Sequence, residues 1–125
     1  MSNFSYLQQV PDLAPLYKYC CRAEQYQKFD PDASANNSRK ALEWMVNVIY
    51  KLKGKWDQYK DATLRQLLDG EPFQEFIGYD ARTNRDCIYI KNIGNVGSHP
   101  NGEVSSKQAF FSVLDLYNVI GGILQ

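Results

Sequence analysis

The chain has 125 residues, about the length of one domain with a single hydrophobic core. Fourteen Lys and Arg balance fourteen Asp and Glu, which argues against nucleic-acid binding through bulk charge and leaves only a local patch. An apolar fraction of 44% with 14% aromatic residues argues against disorder. Three cysteines, Cys20, Cys21 and Cys87, are odd in number and two are adjacent. They make a poor disulfide framework and point to a reducing compartment. No basic-then-apolar leader opens the sequence and no apolar run approaches the roughly 20 residues of a membrane span. The expected location is therefore cytoplasmic, without membrane attachment.

Residues 1–10 are polar and aromatic without a clear period and read as an irregular arm. Pro11-Asp12 opens a helical pattern with Leu13, Leu16, Tyr17 and Cys20 on one face, running to about Lys28. Asp30-Pro31-Asp32 is a turn, and Asp32 or Ser34 is expected to cap the next helix. In that helix Leu42, Met45, Ile49 and Leu52 form a stripe flanked by Trp44, Val46 and Tyr50, with Gly54 as the stop. Trp56 to Ala62 is short and polar. Thr63 caps a brief segment, Leu64 to Leu68, closed by Gly70, and Glu71-Pro72 starts another short turn closed by Gly78. Asp80 to Ser98 makes the third long helix, His99 to Val104 a tight loop, and Ser105 or Ser106 caps the last helix. There Phe110, Val113, Tyr117, Ile120 and Leu124 keep helical spacing, and most aromatic residues are expected to face inward. Period-2 signals are weak. The expectation is all-α: a helical bundle of four main helices with short extra turns, one domain over residues 1–125. Helical spacing that persists almost to Gln125 suggests the N-terminal piece of a longer protein.

The most informative segment is Ile88 to Pro100, which holds the only histidine, His99. Lys91, Asn95 and His99 follow at i, i+4 and i+8, close together on one helical face. Gly94 and Gly97, three apart, allow another backbone to approach, and Pro100 ends the helix. His99 is a candidate general acid or base, since a free imidazole titrates near pH 6.5; as a helix-end cap it is equally ordinary. Asn95 is unfavourable within a helix, so a bond to a facing helix is expected to compensate. Arg39 and Glu43 are spaced for an i, i+4 ion pair, or for Arg39 to reach the Asn95–His99 cluster. One histidine and scattered cysteines supply no metal-ligand set. Cys87 and His99, twelve residues apart, are separated by roughly 18 Å of helical rise and cannot form a nucleophile–base pair. Walker A, GxGxxG and GxSxG signatures are absent from the sequence.

Ile90-Lys91-Asn92-Ile93-Gly94-Asn95-Val96-Gly97-Ser98-His99 resembles the I-R-K-x-G-N-x-x-x-H signature of a helical domain of unknown function found at the N-terminus of type I restriction enzyme R subunits. Asn3-Phe4 with Leu13, Leu16 and Tyr17 is similar to that domain's N-F-x-F-L … P-x-L-Y opening. Asn37 to Glu43, after Asp30-Pro31, is similar to its x-x-R-x-x-x-E helix. The resemblance spans residues 3–124 and extends to the HEPN helical bundles, some of which are ribonucleases with an Arg-x(4–6)-His motif. The sequence departs from that motif. Lys91 is the nearest basic residue before His99, at a longer spacing, and lysine lacks the planar fork that suits phosphate. The resemblance thus implies a non-catalytic accessory or interaction domain of a restriction-modification R subunit, with motor and nuclease outside this segment. The implied partners are other subunits of the restriction complex or the rest of its own chain, with DNA reached through the complex. No cofactor or metal is expected in this domain. The alternative is a small HEPN-type ribonuclease or toxin component acting through His99 with Asn95 and Lys91.

Overall fold

The computed structural model describes residues 2–124. Every regular element among them is helical and no strand occurs among them. Two 3-10 turns, Ser5–Gln9 and Pro11–Leu13, lead into α1 (Ala14–Tyr26) and α2 (Pro31–Leu52). Three short helices follow, α3 (Trp56–Tyr59), α4 (Leu64–Asp69) and α5 (Glu71–Phe76), then the long α6 (Ala81–Ser98) and α7 (Ser106–Ile123). No helix among the described residues is long and apolar enough to cross a membrane.

The central element is α2, which packs against α1, α6 and α7. Its start is set by Asp30, whose Oδ1 accepts from the Ala33 N–H at 3.1 Å, and by Pro31 at the first helical position. The cap is therefore Asp30, rather than Asp32 or Ser34. Asp32 lies inside the first turn, where its Oδ1 accepts from the Val104 N–H at 2.7 Å. Ser34 is fully buried and donates to the Ala23 carbonyl of α1. Along α2 two kinds of surface succeed each other. Ser34, Ala35, Ser38 and Ala41 are small and buried, so neighbouring helices come close. Leu42, Met45, Val46, Ile49 and Tyr50 then fill the main core. Leu52, expected in that stripe, is largely exposed: Ile49 and Tyr50 fill the core side of the last turn, and α2 ends at Leu52. Gly54, at φ +71°, closes α2: its N–H bonds the Lys51 carbonyl and the Lys55 N–H bonds that of Tyr50, so a left-handed residue satisfies the last carbonyls.

Helices α3, α4 and α5 have only 4, 6 and 6 residues, too short to persist unaided. Leu67, Leu68 and Phe73 anchor α4 and α5 in the core, and the partly buried Trp56 and Tyr59 pack α3 against it. The buried Tyr50 hydroxyl donates to the Leu67 carbonyl and lies against Gly70, where a Cβ would collide with it. Thr63 with Gln66, and Ser105 with Gln108, form reciprocal capping boxes at the starts of α4 and α7, while Asp80 caps α6.

The N-terminal segment is no irregular arm. Phe4 and Leu7 are buried in the main core, and Phe4 meets Tyr117 edge to face at 5.7 Å. The inward assignment of the aromatic residues is also corrected. Phe29 is 88% exposed and Tyr79 63%, and Phe76, Phe110, Phe111 and Tyr117 are each more than two-fifths exposed. Four long helices leave too little interior to cover them all.

Candidate functional site

The segment singled out by the sequence lies on the last three turns of α6, which runs antiparallel to the first half of α2. Gly94 and Gly97 face that helix. A Cβ on Gly94 would collide with Arg39 Cβ, stand 2.9 Å from Arg39 Cδ and 3.1 Å from the Ala35 carbonyl. One on Gly97 would stand 2.5 Å from the Asp32 carbonyl oxygen. The two helices therefore meet backbone to backbone, and Ala35 and Ile93 bury beside them with Val104 and Ala109 as a second small core.

Arg39 lies along this seam. Its stem covers Gly94, its Nη2 donates to Asn36 Oδ1 at 3.0 Å and its Nη1 meets Glu43 Oε2 at 3.4 Å. Its Nε is buried without a hydrogen-bond partner among the described residues. Arg39 and Glu43 are thus brought together beside Gly94, and the guanidinium is held on its own helix.

Lys91, Asn95 and His99 point elsewhere. Lys91 lines a shallow cleft with Arg65, Asp69 and Asn92 on the α4 side. Asn95 is exposed, with no bond from its side chain to a facing helix among the hydrogen bonds of the described residues; its carbonyl accepts from Ser98 Oγ at 3.1 Å. His99 has left the helix (φ −82°, ψ 135°) and is exposed, and its Nδ1 accepts from the Asn101 N–H at 3.2 Å. The i, i+8 relation fails because the helix ends one residue before the imidazole, ahead of Pro100. The loop then turns back on α6: at Gly102 a Cβ would overlap the Val96 carbonyl, so only glycine fits.

Cys87 and Cys20 are fully buried, and burial pushes the Cys87 thiol up to about 12 and that of Cys20 higher still. Neither is a ready nucleophile at neutral pH. Among the described residues no three His, Cys, Asp or Glu side chains converge as a metal site requires.

Two features escaped the sequence reading. Asp115 on α7 has its carboxyl raised to about 6, chiefly by burial and then by the charge of Asp86 on α6, against the pull of Arg85 and Arg82. The signal available was that Asp115 is the one acid in α7. The second is the outer face of α7. The inward positions are Ala109, Ser112, Val113, Leu116, Val119 and Ile120, whereas Phe110, Phe111, Leu114, Tyr117 and Leu124 point out. The sequence carries two overlapping apolar stripes on α7, and periodicity alone does not choose between them.

Comparison with protein-family models, with curated proteins and with solved structures finds no match for this chain.

Proposed function

We propose that this chain is a HEPN-like helical bundle serving as a non-catalytic interaction domain in the R subunit of a type I restriction-modification enzyme. The observation that carries this reading is the division of labour along residues 90–99. Gly94 and Gly97 hold α6 against α2, while Asn95 and His99 are exposed, Lys91 is half-buried, and no hydrogen bond joins these three side chains among the described residues. A segment whose glycines serve packing, and whose polar side chains are not bonded to one another, suits a scaffold better than a reaction centre. The outward residues Asn95, Ser98 and His99 then form a polar edge that docks on the modification or specificity subunits, and DNA is met through the assembled complex.

The test is binding of the purified chain to a methylase–specificity complex, read by calorimetry, with Asn95→Ala/His99→Ala as the comparison. Saturable binding weakened by the double substitution supports the reading. Absence of binding, together with RNA cleavage abolished by His99→Ala, replaces it with a ribonuclease acting through His99.

A further inference from the structure

Two pairs of glycines interrupt the long helices, and only one pair is used within the chain. Gly94 and Gly97 are filled against α2, but at Gly121 and Gly122 an added Cβ would meet nothing within 4 Å among the described residues. A glycine is unfavourable by up to about 1 kcal/mol relative to alanine in a helix, less in a last turn, so this pair weakens the end of α7 without a packing contact among the described residues to offset it. The pair lies on the outward face, in line with Phe110, Phe111, Leu114 and Tyr117 at helical spacing. Apart from Lys107 near its start, the exposed residues of α7 carry no charge.

We propose that this face packs against the same face of a second copy of the chain, antiparallel and about a two-fold axis at residue 116. In that register Phe110 meets Gly121 of the other copy along one edge of the face, Phe111 meets Gly122 along the other, and Leu114 opposes Asn118 near its centre. The bulky end of each stripe enters the bare end of its partner. The receiving end is a broad, open depression of about 480 Å³ bordered by Tyr6, Tyr117, Asn118, Gly121, Gly122 and Leu124. Phe110 and Phe111 stand edge to face at 5.5 Å, a preformed wedge.

The exposed fractions are 52% for Phe110, 41% for Phe111 and Leu124, 42% for Leu114 and Tyr117 and 39% for Tyr6. Together they leave roughly 500 Å² of apolar surface, taking ~150–250 Å² for each aromatic side chain. With the glycine backbone and Asn118 added, the face reaches roughly 650 Å², short of the ~800 Å² per partner of a standard interface but of a size that suits a weak dimer. The same patch on both partners is what two-fold symmetry requires. The near-absence of cations on the face argues against nucleic acid and anionic membrane as occupants. The proposal rests on α7 and is independent of the α6 edge invoked for subunit docking.

The experiment is sedimentation velocity of the intact chain from 1 to 200 µM (about the range that brackets ordinary weak dimers). A concentration-dependent shift to twice the 14.4 kDa of one chain is expected. Gly121→Gln puts a helix-favouring side chain into open space, so it should raise the melting temperature of the dilute monomer. It should also raise the dimer dissociation constant about tenfold or more, as a misfit in a packed interface does. Leu114→Lys and Asn118→Glu should each weaken self-association, and their mixture should form a heterodimer, since 114 opposes 118 only in the antiparallel register. A monomer throughout the range overturns the proposal, as does unchanged dimerisation of Gly121→Gln. A monomer that instead floats with phosphatidylcholine vesicles also overturns it and makes the face a lipid-binding one.

Discussion

Replacing Gly97 with alanine tests the seam between α2 and α6 directly. The new methyl group would stand 2.5 Å from the Asp32 carbonyl oxygen and 3.3 Å from Ala35 Cβ. The first neighbour is backbone in the opening turn of α2, which Asp30, Pro31 and the Val104–Asp32 bond all hold in place, so it does not move aside as a flexible side-chain end would. Overpacking of this kind is unfavourable by about 1–3 kcal/mol. Alanine returns up to about 1 kcal/mol of helix propensity, less here because Gly97 is in the last turn. The net loss is about 1–2 kcal/mol, which for a chain of this length lowers the melting temperature by roughly 4–8 °C. The assay is thermal unfolding followed at 222 nm in dilute solution, with Gly121→Ala as the internal comparison. That substitution meets nothing within 4 Å and should melt about 2–4 °C higher than the unsubstituted chain through propensity alone. If Gly97→Ala melts at or above the unsubstituted chain, the backbone contact is not close and the account of the signature as a packing device collapses.

Three further outcomes are expected. Asp32→Ala should remove the acceptor of the Val104 N–H and an acid from the first turn of α2, lowering stability by about 1–2 kcal/mol in urea titration, while Asp32→Asn should recover most of the loss. Asp115 is raised from 3.8 to about 6 in the folded protein; the folded state holds its proton where the unfolded chain releases it, so this group's contribution is fully present below about pH 4 and is lost as pH rises through about 6. Melting temperatures of Asp115→Asn and the unsubstituted chain should therefore coincide near pH 4 and diverge by pH 8, with the asparagine variant higher; equal differences at both values would count against it. Ellman titration of the native protein should label Cys21 quickly and leave Cys20 and Cys87 unreacted until denaturant is added, because both are fully buried.

The four long helices were legible because their signals are local. Asp80 and Ser105 cap through side chains three residues from the donors they bind, and Leu42, Met45 and Ile49 repeat at the interval that places them on one face. Turn chemistry was equally readable at Gly54 and Gly78, both with positive φ. What escaped depends on tertiary partners. Phe4 and Leu7 are buried only because the helical core offers them a groove, and their 3-10 turn has no long period to display. The choice of Asp30 over Asp32 as cap was readable from Pro31, which favours the first helical position and so leaves Asp30 as the N-cap; what was not readable is the bond from Asp32 to a backbone N–H 72 residues away. Of the candidate site, the close approach at Gly94 and Gly97 was foreseeable from residue type. That His99 leaves the helix was equally readable from Pro100; that Asn95 finds no partner on a facing helix among the described residues, and that Lys91 lies at a cleft beside α4, was not, because both depend on tertiary placement.

The central place of α2 also bears on how the chain meets the ribosome. Forty-six residues separate Leu52 from Ser98, and 71 separate it from Ile123. At about 5–20 residues per second, α2 emerges roughly 2–9 seconds before α6 is finished, and α7 follows later still. During that interval α1 is the only long partner available, and the face carrying Ala35, Arg39 and Val46 stays open to water. Ser34, on another face, is already bonded to α1; of the open face, the small Ala35 at its start is a poor target for adventitious association, and the exposed apolar bulk is confined to residues nearer Val46.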